Sequence, residues 1–281
     1  MTPHRAAPAR QPLGIRDIAP ESVLVLAGGR AILLQLANPA VGHGVARHSD
    51  FAARPMGRLG GTLAYVYAVT CGSPAVRAAA VRRVSLAHRP VHSNTHKDST
   101  PGEDSTPGEK SRAPAYNAFD PRLQLWVAAT LYESATRMHD LVYGPLADAD
   151  AENVYRDYGV LGTALQVPAG LWPADRAAFA EYWRQATAEL STDATTRGVA
   201  DQLLNSASGP VWLRLAMPLA RLVTTGLLTP RERALFALPW SSGRQRRFTA
   251  VLRLVRLVYP RLPARLRHAP MRHYLRVGAA A

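Results

Sequence analysis

Nine histidines, at positions 4, 43, 48, 88, 92, 96, 139, 268 and 273, hold the most direct chemical potential of this chain. Imidazole titrates near neutrality and is also a common metal ligand. Most of these residues have ordinary settings. His4, His92 and His96 fall in polar segments, and His43 and His48 flank a short basic stretch, too far apart for one helical face. No HExxH or ExxH pattern supplies a zinc or di-iron set. His88 differs. It ends the segment CGSPAVRAAAVRRVSLAH, with Ala80, Val84 and Ala87 around it, so its ring is expected to face a mostly apolar interior. Upstream, Arg58 and Thr62 are four residues apart and stack on one face of a helix. A histidine on one helix, facing an arginine and a threonine on another, makes a workable haem pocket: imidazole supplies an axial nitrogen, and the guanidinium bonds a propionate or bound dioxygen. The residues alone equally allow His88 to serve packing and local hydrogen bonding in the core.

Other chemistries are excluded by what is missing. Cys71 is the only cysteine, which rules out an intrachain disulfide, a cysteine-ligated zinc site and an iron–sulfur cluster. A GxSxG elbow, a glycine-rich phosphate loop and the CxxCH signature of covalent haem are all absent. Glu133 and Arg137 have the i, i+4 spacing of an ordinary helical ion pair. The 281 residues carry 34 Lys plus Arg against 20 Asp plus Glu, a formal net charge of +14, and only Lys97 and Lys110 are lysines. Ten arginines and no acidic residue lie between Ser241 and Ala281, so most of the excess is local. Without finger, RNP-like or basic-zipper patterns, no nucleic-acid partner is expected.

The elements that must position these residues read as helices. Apolar residues make up 47% of the chain, and Ala, Leu and Arg, strong helix formers, dominate long stretches. A first helix is expected over 20–36, with Gly28 and Gly29 permitting close backbone approach, ended by Asn38 and Pro39. Ser49 or Asp50 offers a cap before an irregular stretch, and 58–70 follows as a helix. Ser73 and Pro74 then start the helix that ends at His88, and Asp120 and Pro121 start one carried to Tyr143. Further helices are expected over 148–165, 173–187, 195–208, 211–225 with a kink or break at Pro218, 230–238 and 245–259. Between them, 92–114 contains DSTPGE twice and no large apolar residue, and reads as a mobile surface loop. No apolar run is long enough to span a bilayer, because Arg30 interrupts the best one. The N-terminal stretch lacks the apolar segment of a signal peptide.

Four stretches taken together resemble the bacterial and fungal oxygenase family that includes the mpaB-type oxygenases and the latex clearing protein, a rubber oxygenase. They are GGRAILLQLANPAVGHGVARHSDF (28–51), RPMGRLGGTLAYVYAVTCGSPAVRAAAVRRVSLAHRPV (54–91), YNAFDPRLQLWVAATLYESATRMHDLVYGPLADADAENVYRDYGVLGTALQVPAGLWP (116–173) and LPWSSGRQRRFTAVLRLVRLVYPRLPARLR (238–267). The resemblance implies an all-α, single-domain protein with a non-covalent haem b pocket between core helices. His88 is similar to the family's axial iron ligand, Arg58 and Thr62 to the RxxxT pair of catalytic residues that also line the cofactor, and Asp120 and Trp126 to the D-P…W block beside the pocket. This chain departs from the pattern with Asn38–Pro39 in place of HP, Ala128 where WVHATL has its histidine, and HRPVHS after His88 in place of HxxVRG.

The implied activity is haem b-dependent activation of dioxygen for oxidation or oxidative cleavage of an apolar, unsaturated or isoprenoid substrate. The departures support a second reading, a family member without haem that binds a lipid-like ligand. In a third, the Arg-rich C-terminal region docks on an acidic partner or on anionic lipid, with Phe248, Val251, Leu252, Val255 and Val258 as the apolar face; the alternative is that this face packs on the core and the arginines solvate the other one. The domain plan reads as a flexible segment 1–19, an oxygenase-like helical domain 20–267 with its insertion 92–114, and a tail 268–281. A cytoplasmic protein is expected, with membrane contact at most peripheral.

Overall fold

The computed structural model describes residues 11–48, 55–93, 114–205 and 211–280. Among the described residues the regular structure is all α, with no strand and a single isolated bridge between His92 and Asn117. The first half holds α1 (Ile15–Ile18), a 3₁₀ segment Ser22–Ala27, α2 (Gly28–Ala37), α3 (Pro39–His48), α4 (Pro55–Cys71), α5 (Pro74–His88) and α6 (Pro121–Tyr143). Then come α7 (Asp148–Tyr158), α8 (Val160–Thr163), α9 (Arg176–Ala188), α10 (Ala194–Leu204), α11 (Val211–Leu227), α12 (Pro230–Leu235), α13 (Ser242–Val258), α14 (Ala264–Arg267) and α15 (Ala269–Ala280).

The starts of these helices follow from local chemistry. Asp120 accepts from the backbone N–H of Arg122 at 2.7 Å and of Leu123 at 3.4 Å, with Pro121 at the first helical position. Ser73 and Pro74 repeat the device for α5. Pro39 cannot continue α2, and the chain turns by 105° there. Elsewhere the expected boundaries move. α7 is preceded by Ala147, which offers no capping side chain, while Asp148 and Asp150 sit in its first turn beside the positive end of the helix dipole. Pro218 lies inside α11 without ending it. The expected cap at Ser49 or Asp50 lies outside the described residues, as does nearly all of the 92–114 segment. The ends of that segment are held together by Ser93 N–H on Tyr116 O and Ala118 N–H on Val91 O, each 2.9 Å.

The long helix α6 organises the core, since its faces enter all three apolar clusters. Leu125, Ala128, Ala129 and Tyr132 join an aromatic cluster with Tyr155, Tyr158, Trp172 and Phe179. Trp126 joins Leu33, Leu34 and Leu36 of α2, and Met138 and Val142 meet Val23, Val223, Leu227 and Phe248. One helix therefore ties together regions far apart in sequence. Of the two glycines expected to allow close approach, only Gly29 does so: a Cβ there would run into Thr224 of α11, whereas one at Gly28 would make an ordinary 3.8 Å contact with Leu59.

Both expected chain ends change. Ile15 and Ile18 are buried, and Asp157 and Asn153 of α7 bond Ile15 N–H and Leu13 O at 3.0 and 2.9 Å, so residues 11–19 belong to the domain. Residues 269–280, expected as a tail, form α15 and pack along α4, where Tyr274 stacks on Tyr67 at 6.1 Å. Among the described residues no single helix is long and apolar enough to cross a membrane; the bent pair Ser22–Ala37 and Pro39–His48 passes by composition, yet Leu33, Leu34 and Leu36 lie in the core.

Candidate functional site at the open end of the α4–α5 hairpin

Helices α4 and α5 are joined by Gly72 and Ser73 alone, so they run antiparallel and in contact as a helical hairpin. Pairing outward from that turn brings the last turn of α5, with His88, level with the first turn of α4, which holds position 58. Helical periodicity then fixes the sectors. Positions 58, 62, 65 and 69 follow i, i+4, i+7, i+11, and the last two, Tyr65 and Val69, are buried in the aromatic cluster. On α5, His88 follows Val81 and Val84 by seven and four residues, and both valines pack against the same cluster. The sectors holding Thr62 on one helix and His88 on the other thus turn toward the same interior, and position 58 lies one helical turn before Thr62.

Local contacts sharpen this geometry. Within R-L-G-G-T, Leu59 approaches Gly28 of α2, Gly60 lies against Tyr274 of α15, and a Cβ at Gly61 would meet nothing within 4 Å. Thr62 is half-buried. His88 is half-buried with its Nδ1 out of contact with solvent, and its ring meets Phe119 edge-to-face at 6.3 Å. No side chain of α5 is fully buried, although its inner face turns to the core. The described part of the site is the His88 imidazole, the Phe119 ring beside it and the half-buried Thr62 on the facing helix. Among the described residues no group of three or more His, Cys, Asp or Glu is arranged to hold a bare metal ion.

Trp126 is buried in the second apolar cluster. Its indole N–H donates to Leu34 O at 3.2 Å and its ring stacks on Trp183 at 5.3 Å, so its contacts are those of the core between α6, α2 and α9. Ala128 is buried in the aromatic cluster, where hydrocarbon packs against it. Glu133 is taken up by the buried Arg30 of α2, with Arg137 adding a more distant charge. Burial still holds the Glu133 carboxyl above the usual range despite Arg30.

Two neighbours of the site were not legible in sequence. His48 Nε2 shares a 3.0 Å hydrogen bond with Tyr116 Oη, and burial, then the charges of Arg47 and His92, hold this imidazole below its ordinary pKa. His92 Nδ1 lies 3.2 Å from Arg89 O, in the turn just after His88. The base of the 92–114 segment is thereby fastened next to the last turn of α5 by contacts up to 68 residues apart, which no local pattern signals. The lone Cys71 is half-buried and its thiol pKa is raised by burial, so it is a poor nucleophile.

The chain is similar to known proteins. The family model described as ER-bound oxygenase mpaB/B′/rubber oxygenase, catalytic domain, matches residues 15–257. Two mycobacterial proteins, uncharacterized protein Mb2261 of Mycobacterium bovis and uncharacterized protein Rv2237 of Mycobacterium tuberculosis, are each 40% identical over 239 residues, covering 83% of this chain and 88% of theirs. No solved structure matches.

Proposed function

The chain belongs to the mpaB and rubber oxygenase catalytic-domain family, and we propose that it is a haem b-dependent oxygenase acting on an apolar, unsaturated or isoprenoid substrate. What supports this reading is the family match, together with a half-buried His88 in the last turn of α5, level with the first turn of α4. His88 would hold the iron, and Arg58 and Thr62 would line the cofactor. When bound, the haem supplies the iron at which dioxygen is activated.

The chain's own residues do the rest. Phe119, edge-on to His88, restricts the imidazole plane. A guanidinium at position 58 offers fixed donors to a propionate or to developing negative charge on oxygen, and the Thr62 hydroxyl can donate to the same acceptor. Val81, Val84 and the aromatic cluster beyond them supply an apolar wall that excludes water and suits a hydrocarbon substrate.

The absorption spectrum of protein produced with haem supply tests this directly. A Soret band that disappears in His88→Ala is expected; no band, or one indifferent to that change, overturns the reading. Ala128, packed in hydrocarbon where the family resemblance implies a histidine, favours the second reading of a haem-free member that holds a lipid-like ligand. That reading predicts protein that stays colourless with excess haem and co-purifies with an apolar molecule.

A further inference from the structure

Beyond Asp201 the chain holds fourteen of its 34 basic residues, all arginine, and one of its 20 acidic residues, Glu232. Those last 80 residues thus carry an excess of +13, and the 201 before them an excess of one. Glu232 is buried against Arg30 and offers nothing to the surface. Helices α11 and α13 lie wholly in this segment and contact each other.

Of the two accounts the sequence left for the apolar face of α13, the structure has the one in which it packs on the core. Phe248 is buried, and Val251, Leu252 and Val255 pack into the third apolar cluster. The outward sector is a second apolar strip. Ala250, Leu254 and Leu257 follow i, i+4, i+7, with Leu254 61% and Leu257 57% exposed, and exposed Arg246, Arg247 and Arg253 flank the strip on both sides. Helix α11 adds a matching strip. Val211, Leu215 and Leu219 are exposed, Leu215 by 77%, and they continue, at helical spacing, the same sector in which Leu222 and Gly226 meet α13. Leu26 extends the apolar surface across a groove lined by Val23, Leu254, Val258 and Leu262.

We propose that this α11–α13 face is a docking surface for an anionic lipid bilayer. A strip of leucines rimmed by arginines, with no carboxylate on either helix, matches both layers of such a surface: leucines enter the acyl boundary and guanidiniums pair with phosphates. A second copy of the chain fits poorly, because apposing this face on itself sets arginine against arginine. Nucleic acid fits poorly as well, because the centre of the strip offers neither stacking rings nor base-reading polar groups. This inference stands independently of the haem reading.

The test is co-sedimentation of the full chain with vesicles of phosphatidylcholine alone, or with phosphatidylglycerol as about one lipid in three. Binding to the anionic vesicles only, weakened by high salt, is expected. The paired change Leu254→Ser and Leu257→Ser, at exposed positions that leave the melting temperature unchanged, should reduce it about tenfold or more. Arg246→Gln, Arg247→Gln and Arg253→Gln should each reduce it about fivefold. Equal binding to both vesicles, binding to neither, or variants that bind like the parent would overturn the proposal. So would light scattering that shows a dimer converted to monomer by the leucine changes, or tighter retention by duplex DNA than by anionic vesicles.

Discussion

Arg267 donates from Nη1 to Glu21 Oε1 at 2.7 Å across 246 positions of sequence. The same carboxylate accepts from Tyr143 Oη at 2.7 Å, Tyr259 Oη at 3.0 Å and His268 Nε2 at 3.0 Å. One buried acid, at the entry to the 3₁₀ segment, thus gathers α6, the end of α13 and the start of the C-terminal helices. Those C-terminal helices in turn cover α4, so the ion cluster helps hold the wall of the candidate site.

Burial alone would raise the Glu21 pKa, but the hydrogen bonds from Tyr143, His268 and Tyr259 and the charge of Arg267 outweigh it and hold the carboxyl below its ordinary value of 4.5. A depressed carboxylate contributes stability that is complete above the unfolded pKa and is lost as the pH falls through the folded one. Glu21→Gln is therefore expected to cost about 2–4 kcal/mol near neutrality. In urea titrations the gap between variant and parent should shrink as the pH drops from about 5 toward 3. A gap that does not vary with pH would remove the charge from this account.

Adjacent glycines separate in the same kind of assay. Gly29→Ala drives a methyl into Thr224, where α2 and α11 meet, and overpacking there should cost about 1–3 kcal/mol. Gly28→Ala finds ordinary space beside Leu59 and gains helix propensity, so it should be neutral or stabilising by about 0.5–1 kcal/mol. Thermal melts of the two variants should bracket the parent.

What the sequence could and could not reveal follows the range of each determinant. Asp120–Pro121, Ser73–Pro74 and Asn38–Pro39 punctuate helices through contacts within a few residues, and they lie where expected. The ends of the domain depend on partners more than 100 residues away: Ile15 on Asp157, and α15 on Tyr67 and Gly60. Their own composition, basic or short, does not announce burial. Periodicity found the apolar face of α13 correctly but could not tell core from lipid, because Phe248, Val251, Leu252 and Val255 are spaced as either would require. In the sequence the candidate site was a pattern of three residues on two helices. The histidine and tyrosine that fasten its neighbouring segment were not.

Arg30 illustrates a buried charge fixed by geometry. At 1% exposure it donates Nε to Leu227 O at 3.1 Å and Nη1 to Ser134 Oγ at 3.1 Å, pairs with Glu133, and sets Nη2 at 3.4 Å from Glu232. Arg30→Met leaves the buried Glu232 and the part-buried Glu133 without their shared cation and should lower stability by about 3–5 kcal/mol. Arg30→Lys keeps the charge but not the planar fork that reaches four acceptors, and should recover less than half of the loss. Guanidinium denaturation of the three proteins gives the ordering; a lysine variant as stable as the parent would show that charge alone suffices.

Trp126 distinguishes packing from cofactor contact. Trp126→Phe keeps an aromatic ring against Trp183 but deletes the donor to Leu34 O, leaving a buried carbonyl short of a partner at a cost of about 1–3 kcal/mol. Trp126→Ala empties the stack as well and should cost about 3–5 kcal/mol. Because these contacts lie between α6, α2 and α9, the Soret maximum of haem-loaded Trp126→Phe is expected to coincide with that of the parent, while His88→Ala abolishes the band. A shifted Soret maximum in Trp126→Phe, with stability intact, would instead bring the indole into the cofactor's environment and extend the site from the α4–α5 hairpin into the second apolar cluster.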